Sequence, residues 1–225
     1  MRTRMKTIGL QTLAALGCCL AMASAHADTA DDFWVDLRND RAKSVKSLLV
    51  RGIDPNAPNA ASNPPLVEAI KEQAWEVYDV LLADPRIDVN RKNLLGETPL
   101  MYLAILGETA RMEKLIERGA EVNQPGWTAL HYAATMGHND AVSLLIEHHA
   151  YIDAESPDQT TPLMMAMRYD RGPTVKLLLD EGADGYARNA QGKNAADVGR
   201  EAGNTVLAND LVERLNLERQ RRMRR

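Results

Sequence analysis

Cysteine is almost absent from this chain. Among 225 residues the two cysteines are Cys18 and Cys19, and both lie in an apolar segment near the start. Residues 28–225 therefore contain no thiol, which excludes disulfide bonds, cysteine nucleophiles and thiolate metal sites there. Aromatic residues are also few, at 4% with a single phenylalanine, which argues against an aromatic-rich β-sandwich. The many Ala, Leu and Met residues favour helix instead.

Motifs of common enzyme classes are missing as well. The sequence contains no G-x-S-x-G, no H-E-x-x-H and no phosphate-loop pattern. Asp153, Glu155 and Asp158 could form a weak cation site, but acidic residues in a short loop are better explained as turn formers. We therefore predict no catalytic residue, no metal ligand, no cofactor and no small-molecule substrate.

Residues 1–27 have the pattern of a secretory signal peptide. Three cations among the first six residues precede an uncharged apolar run, and small residues then supply a cleavage site after Ala27. The run is short for a membrane span and polar residues follow it at once, which favours cleavage over anchoring. We predict export to a bacterial periplasm. Lipidation at Cys18 stays open, because the residues before it match a lipoprotein site poorly.

Charge is distributed unevenly along the chain. Residues 28–213 carry 18 Lys and Arg against 30 Asp and Glu, whereas residues 214–225 hold six arginines and one glutamate. An acidic body repels nucleic acid, so we exclude DNA and RNA as partners. We interpret residues 214–225 as a solvated basic tail; contact of this tail with anionic lipid is the weaker alternative.

A repeat of about 33 residues appears when segments are aligned. "NPPLVEAI" begins at residue 63, "ETPLMYLA" at 97, "WTALHYAA" at 127, "TTPLMMAM" at 160 and a degenerate "KNAADVGR" at 193. An apolar run and a turn follow each of the first four copies. Equivalent positions in the five segments are Leu66, Leu100, Leu130, Leu163 and Ala196, spaced 34, 30, 33 and 33.

This repeat resembles the ankyrin repeat, which has the same period and a T-P-L-H-x-A signature. The resemblance covers residues 31 to about 205. It implies an all-α ankyrin-repeat solenoid of helix-turn-helix units with short β-hairpin loops, which we expect to be a monomer. The predicted boundaries are a repeat domain over 28–205, with an N-cap over 31–58, repeats over about 59–92, 93–123, 124–156 and 157–189, and a C-cap over 190–213.

Individual residues fit the physics of such a unit. Thr98 and Thr161 can cap a helix N-terminus, with prolines following in the first turn. Gly107 and Gly137 are placed to end the first helices. His149 stands where other copies have glycine, so we expect it to adopt positive φ.

Two histidines could suggest a metal or acid–base site. His131 is the H of T-P-L-H, and in the family its ring ties neighbouring loops together by hydrogen bonds. His138 follows the glycine that ends the first helix. The two lie seven residues apart with a turn between them, so they do not form one ligand face. We interpret both as scaffold.

Three departures from the repeat are informative. The loop before Trp127 is three residues short, since Asn123 reaches Gly126 in three steps where Asn90 reaches Gly96 in six. The last copy has lost Thr-Pro-Leu and is interpreted as a cap with a polar outer face. At the other end, "DDFWVDLRND" is expected to cover the first repeat with Phe33, Val35 and Leu37, and to bury or half-bury Trp34.

Ankyrin stacks bind through loop tips and the concave face of their first helices. The resemblance assigns to this face the residue before each Thr-Pro and the two after each Ala pair. Trp127 is the foremost candidate, and Ile105, Leu106, Met136 and Tyr169 complete an apolar centre. Leu106 and Met136 could instead fill the core. The remaining predicted partner-binding residues are Asn63, Lys71, Glu72, Glu97, Thr160, Arg168 and Lys193.

The resemblance implies a non-enzymatic module that binds a protein partner. Bacterial proteins of similar layout are associated with stress protection, including catalase support, or with immunity against a toxic effector. Two alternatives stay open: an effector secreted into a host cell, and an enzyme whose site the sequence does not reveal.

Overall fold

The computed structural model describes residues 31–224. The predicted signal peptide over residues 1–27, its cleavage after Ala27 and lipidation at Cys18 lie outside the described residues.

The described chain is built from helices joined by short loops. Its residues 31–38 form α1, and eleven further helices follow. They are α2 (Ala42–Val50), α3 (Pro65–Lys71), α4 (Trp75–Ala83), α5 (Pro99–Leu106), α6 (Thr109–Glu117), α7 (Ala129–Met136), α8 (Asn139–Glu147), α9 (Pro162–Arg168), α10 (Gly172–Asp180), α11 (Ala195–Glu201) and α12 (Thr205–Met223). The predicted all-α repeat fold is confirmed.

The helices stack in two rows. The inner row consists of α3, α5, α7, α9 and α11, each packed on the next, and each inner helix also packs on the outer helix that follows it. The five equivalent positions of the repeat all belong to the inner row and are at most 1% exposed. Since every unit contacts mainly its neighbours, one apolar core runs along the whole stack.

Local sequence sets where the inner helices begin and end. The Thr98 hydroxyl accepts a hydrogen bond from the Met101 N–H at 3.4 Å, and Pro99 occupies the first helical position. Gly107 ends α5 at φ 71°, and a Cβ there would lie 2.9 Å from the His138 ring. A side chain at this position would therefore meet both an unfavourable backbone conformation and the His138 ring of the next repeat.

His131 fastens two repeats together. Its ring is fully buried; Nδ1 accepts from the Thr128 N–H at 3.2 Å, and Nε2 lies 2.9 Å from the Thr160 carbonyl of the next copy. A backbone N–H can only donate and a carbonyl can only accept, so this geometry selects the neutral ring with its proton on Nε2. Burial lowers the pKa of His131 to about 4. The scaffold interpretation of this residue is confirmed.

A second tie recurs at the C-terminal ends of the inner helices. His138 Nε2 donates to the Ile105 carbonyl at 3.0 Å, and Arg171 Nε donates to the Thr135 carbonyl at 2.9 Å. Asn204 occupies the same position one repeat later and donates to the last carbonyls of α9. Three different side chains thus satisfy helix-end carbonyls that lack intrahelical partners.

A ladder of side-chain amides joins the ends of the outer helices. Asn56, Asn90 and Asn123 each accept from a backbone N–H of the next repeat at 2.7–2.8 Å and donate to the carbonyl two residues before it at 2.8–3.0 Å. Asp153 holds the fourth place, where its carboxylate accepts from the Asp184 N–H at 3.0 Å. A carboxylate has no N–H to donate, so this joint makes half of the bonds of the other three.

The loops before the inner helices are tight turns. In four of them one backbone N–H reaches the carbonyl four residues later, as from Asn93 to Glu97 at 3.0 Å. No residue of the described range 31–224 is in a β-strand, so the predicted β-hairpins are not formed there. These loops are too short for a second pair of backbone hydrogen bonds. The loop before Trp127 lacks such a turn; the Gln124 side-chain amide instead donates to the Trp127 carbonyl at 2.9 Å.

The two ends of the stack are capped differently from the interior. Phe33 and Leu37 are buried and Trp34 is half-buried, as expected, but Val35 is 46% exposed and does not cover the first repeat. Residues 214–223, which the sequence analysis treats as a tail, continue α12 without a break. Arg214 on this helix pairs with Asp180 of α10 at 2.9 Å.

His149 adopts φ 63°, as expected from its place in a glycine position. Non-glycine residues at positive φ are strained to a small degree, and histidine is among those that tolerate the conformation. The His149 side chain is exposed, so this residue serves as a control for substitutions of the buried His131.

We predict that Asp153→Asn stabilises the protein by about 1 kcal/mol at pH 7, because the amide restores the missing donor. Burial raises the pKa of the Asp153 carboxyl above its ordinary 3.8, so the folded state favours the neutral acid. Stability is then lost as pH rises through that raised pKa, and the gain from the amide should vanish near pH 3. Urea titrations at both pH values measure this.

Asp210→Asn is the control, since it removes the same charge at an exposed position of α12. A gain in both variants, or a destabilised Asp153→Asn, would contradict the ladder.

We predict that His131 contributes a decrease of on the order of 3 kcal/mol to the free energy of unfolding between pH 6.5 and 4. The unfolded chain protonates His131 over this range, whereas the folded chain begins to do so only near pH 4, so acid favours unfolding. In His131→Gln this contribution should be absent and only the slope due to the carboxyl groups should remain, at the expense of a lower stability at pH 7. His149→Gln should keep the wild-type slope, and an unchanged slope in His131→Gln would refute the assignment.

Candidate functional site

The predicted partner-binding residues fall on two edges of the inner helix row. Five precede an inner helix: Asn63, Glu97, Trp127, Thr160 and Lys193. Seven lie at or near inner helix C-termini: Lys71, Glu72, Ile105, Leu106, Met136, Arg168 and Tyr169. An eight-residue helix is about 12 Å long, so the two edges are parallel strips of one face about that far apart.

Two of the twelve residues do not present a side chain on this face. Asn63 is 8% exposed and its amide donates to Glu68 Oε2 at 3.0 Å within the stack. Thr160 is 1% exposed, because its carbonyl is the partner of the His131 ring and the chain is drawn inward there. The expectation that these two residues contact a partner is therefore corrected.

The C-terminal edge carries an exposed apolar stripe. Leu106, Met136 and Tyr169 occupy equivalent places in three successive repeats and are 37%, 41% and 48% exposed. Ile105 is half-buried beside them. Leu106 and Met136 thus face solvent rather than fill the core. We call Leu106, Met136 and Tyr169 the apolar stripe.

Charged residues border the apolar stripe at both ends of the row. Lys71 and Glu72 are exposed at the end of α3, and Arg168 is exposed beside Tyr169. Lys193 is half-buried and forms an ion pair with Glu201 at 2.5 Å. An apolar centre with a charged rim is the usual anatomy of a protein interface.

The N-terminal edge contains a cleft where the shortened loop leaves a gap. Trp127 is half-buried in it, with its ring 5.2 Å from that of His131 and 6.3 Å from that of Tyr132. Leu95 lines one side and Pro157 the other. The cleft has a volume of about 200 Å³, and we call it the Trp127 cleft. Trp127 is therefore a wall of a concave site, less exposed than the sequence suggested.

A carboxylate is fixed within the Trp127 cleft by neutral donors. The Tyr102 hydroxyl donates to Glu97 Oε2 at 2.6 Å, and the Asn93 amide donates to the same oxygen at 2.9 Å. The Tyr132 hydroxyl donates to Oε1 at 3.3 Å. Burial, together with the Glu97 charge, raises the pKa of Tyr132 to about 12 and that of Tyr102 further, so both hydroxyls stay protonated at neutral pH.

Sequence reasoning missed the residues that complete this cleft. Tyr102 and Tyr132 occupy the same position in two copies of the repeat, two residues after Leu100 and Leu130. Two tyrosines at one repeat position are a sequence signal that could have pointed to this cleft. Leu94 and Leu95 are 81% exposed at a loop tip, where a pair of leucines is unusual. Gln124 replaces the lost turn and has no counterpart in the other copies.

A larger cleft of about 640 Å³ lies on the outer row between α2 and α4. Two of its charged residues are paired with each other: Asp84 binds Arg86 at 2.7 Å, and Arg86 also donates to the Leu49 carbonyl at 3.1 Å. The Arg86 bonds lower the pKa of Asp84. These groups stabilise the loop after α4 and leave no convergent polar set for a ligand.

Neither a metal centre nor a membrane span is found in the part of the chain that the structure describes. Over residues 31–224 no three side chains of the metal-ligating kinds converge. Within the same range, no helix combines the length and the hydrophobicity needed to cross a bilayer.

Comparison with known proteins agrees with this architecture. A family model described as ankyrin repeats (3 copies) matches residues 112–189. Neurogenic locus notch homolog protein 1 is 33% identical over 132 residues in Xenopus tropicalis and 31% identical over 132 residues in Homo sapiens; each match covers 57% of this chain. Human transient receptor potential cation channel subfamily A member 1 is 29% identical over 158 residues, or 65% of this chain.

These matches concern repeats and not whole proteins. The chain spans 5% of the length of the Notch relatives and 14% of the channel. The family match covers most of α6 and all of α7 to α10. Residues 112–189 therefore match ankyrin repeats, and the stacked helix pairs of the described chain form an all-α, solenoid-like repeat fold.

Proposed function

We propose that this chain is a non-enzymatic module of the bacterial periplasm that binds one protein partner through the concave face of its inner helices. The observation that carries the proposal is the apolar stripe. Three large apolar side chains at equivalent places in successive repeats are 37–48% exposed, although nothing in the stack requires them to be so. Exposed apolar groups in a continuous row are typical of an interface.

The family supports the coarse part of this proposal, since ankyrin repeats generally mediate protein–protein interaction. The buried titratable side chains also have structural partners. His131 is neutral and bonded at both nitrogens, and Glu97 is held by two tyrosines. Neither arrangement supplies a nucleophile with an adjacent base, which is what a hydrolytic site would need.

The periplasmic location rests on the signal-peptide pattern of residues 1–27 and on the lack of cysteine after it. Two roles suit an exported binding module. In one it supports a stress-protective enzyme such as catalase, and in the other it blocks a toxic effector. The identity of the captured partner separates these roles, and delivery of the chain into a host cell would favour the effector alternative.

We predict that Leu106→Ser, Met136→Ser and Tyr169→Ser combined weaken partner binding at least tenfold. The three side chains are exposed, so the free energy of unfolding should change little, whereas an interface would lose its apolar centre. Affinity capture with the mature chain from periplasmic extract, followed by titration of the identified partner, measures the affinity, and urea titration of each variant measures the free energy of unfolding.

The matched control combines Val50→Ser and Val206→Ser, which are 82% and 76% exposed on the outer row. This control should bind like the wild type. Equal weakening in both variants, or no weakening in the stripe variant, would argue against the concave face.

We also predict that the chain is exported and cut after Ala27. Expression of the full chain in a Gram-negative host should yield a periplasmic product whose first residue is Asp28. Intact-mass measurement of the fractionated product checks this, and Ala27→Leu should block the cut. A full-length product in the cytoplasm would contradict the proposed location, and a product beginning at a lipid-modified Cys18 would support lipidation.

A further inference from the structure

We propose that the Trp127 cleft binds a basic side chain of the protein partner, with the planar guanidinium of arginine preferred over the ammonium of lysine. This inference rests on the proposed function for the existence of a protein partner. It adds the chemistry that the partner must present at one point of the interface.

The first observation that supports this proposal is the charge of Glu97. Among residues 31–224 no lysine, arginine or histidine forms an ion pair with this carboxylate within 4.0 Å, and its three hydrogen-bond donors are neutral. A carboxylate offers about four lone-pair sites, so one remains available on Oε1. The structure thus holds a fixed negative charge in a concave site without a directly paired cation; Lys92 also lines the cleft but forms no ion pair with Glu97 within 4.0 Å.

The walls of the cleft suit a flat cation. The Trp127 and Tyr132 rings are tilted by 47° to each other, and their centroids are 6.3 Å apart. Guanidinium groups stack on such faces and are more weakly hydrated than ammonium groups. The protein makes this kind of contact elsewhere, since Arg111 Cζ lies 3.9 Å from the centroid of the Trp75 ring.

The hydrogen-bonding groups of the cleft also favour arginine. The side-chain oxygen Oε1 of Gln124, which lines the cleft, is buried and accepts no hydrogen bond from any described residue. That oxygen has no exposed surface for a ligand to reach, so Glu97 Oε1 is the acceptor that the site offers. The donors present are already used, because the Tyr102 and Tyr132 hydroxyls both bond to Glu97. A ligand with several N–H groups and no acceptor complements this set, and arginine has five such groups.

The size of the cleft excludes other cationic ligands. Sites for drug-sized molecules have volumes of about 300–1,000 Å³, and the Trp127 cleft has about 200 Å³. A divalent metal ion would need several oxygen ligands, whereas the polar side chains that line the cleft are one carboxylate (Glu97), one amide (Gln124), one hydroxyl (Tyr132) and one ammonium (Lys92). The space suits one side chain.

The position of the cleft favours a side chain of the partner over a free molecule. The cleft and the apolar stripe lie on the same face, about one helix length or 12 Å apart, so a protein seated on the stripe extends over both. Leu95 lines the cleft, and both Leu95 and its neighbour Leu94 are 81% exposed, so they add apolar area beside the inserted group. A ring of apolar contacts that excludes water strengthens a central charged contact.

The test uses the peptide Ac-Gly-Gly-Arg-Gly-Gly-NH₂ and its citrulline analogue, which keeps the shape of arginine without the charge. Binding is followed by the NMR signal of the Trp127 indole N–H, identified by its loss in Trp127→Phe. We expect a saturable shift with the arginine peptide in the millimolar range, a smaller one with lysine, and none with citrulline. High salt should weaken binding, since the contact is partly exposed.

Two variants of opposite charge in the same cleft sharpen the test. Glu97→Gln keeps an acceptor for the tyrosine hydroxyls and should weaken peptide binding at least tenfold. Lys92→Gln removes the positive charge at the rim and should leave binding unchanged or strengthen it. Glu72→Gln, exposed at the far end of the inner row, should have no effect, and thermal unfolding checks that each variant is folded.

Citrulline binding equal to arginine binding, weaker binding in Lys92→Gln, or unchanged binding in a folded Glu97→Gln would overturn the proposal. The absence of any saturable shift would also overturn the proposal, if the peptide concentration reaches 20-fold above about 1 mM. A dissociation constant of about 1 mM is the affinity expected of one isolated side chain. If the apolar stripe variant still loses the captured partner while these results fail, the proposed function stands without the basic contact. If Glu97→Gln also weakens the captured partner, both are supported.

Discussion

No repeat of this chain can bury its apolar helix faces by itself, and the rest of the structure depends on that constraint. Each inner helix is seven or eight residues long, too short to be stable alone in water. Its leucine, as at Leu100 or Leu130, is buried only because the next unit covers it. The fold is therefore a sum of joints, and polar ties at each joint fix the spacing between units.

Those ties differ in chemistry while serving the same geometry. His138, Arg171 and Asn204 bond to equivalent helix-end carbonyls in successive units, and His131 makes a cross-repeat bond from a fully buried ring. Evolution of such a stack can exchange one donor for another as long as the carbonyl is satisfied. Asp153 shows the limit of this freedom, because it keeps the acceptor of the asparagine ladder and loses the donor.

A regular stack leaves function to its irregularities. The concave face acquires a cleft where one loop is three residues short, and the loss exposes Trp127 beside Glu97. The same face carries an apolar stripe at the opposite helix ends. One strip supplies apolar area and the other a fixed charge between aromatic rings. Together they describe a partner with an apolar patch and a protruding basic group.

The amino-acid sequence alone determined the repeat, its period, the caps of the inner helices and the glycine at positive φ, because these depend on local backbone geometry and on residue spacing. It also located the shortened loop. The structural role of His131 was implied by the resemblance to the ankyrin repeat.

Tertiary structure decided which side chains reach the surface: Asn63 and Thr160 turned inward, Val35 outward, and α12 continued past residue 213. It also brought Glu97, Tyr102 and Tyr132 together across two repeats. Period and spacing specify the face on which a residue lies. Burial and hydrogen-bond partners depend on how far one unit is displaced from the next, and the packing and hydrogen bonds between units set that displacement.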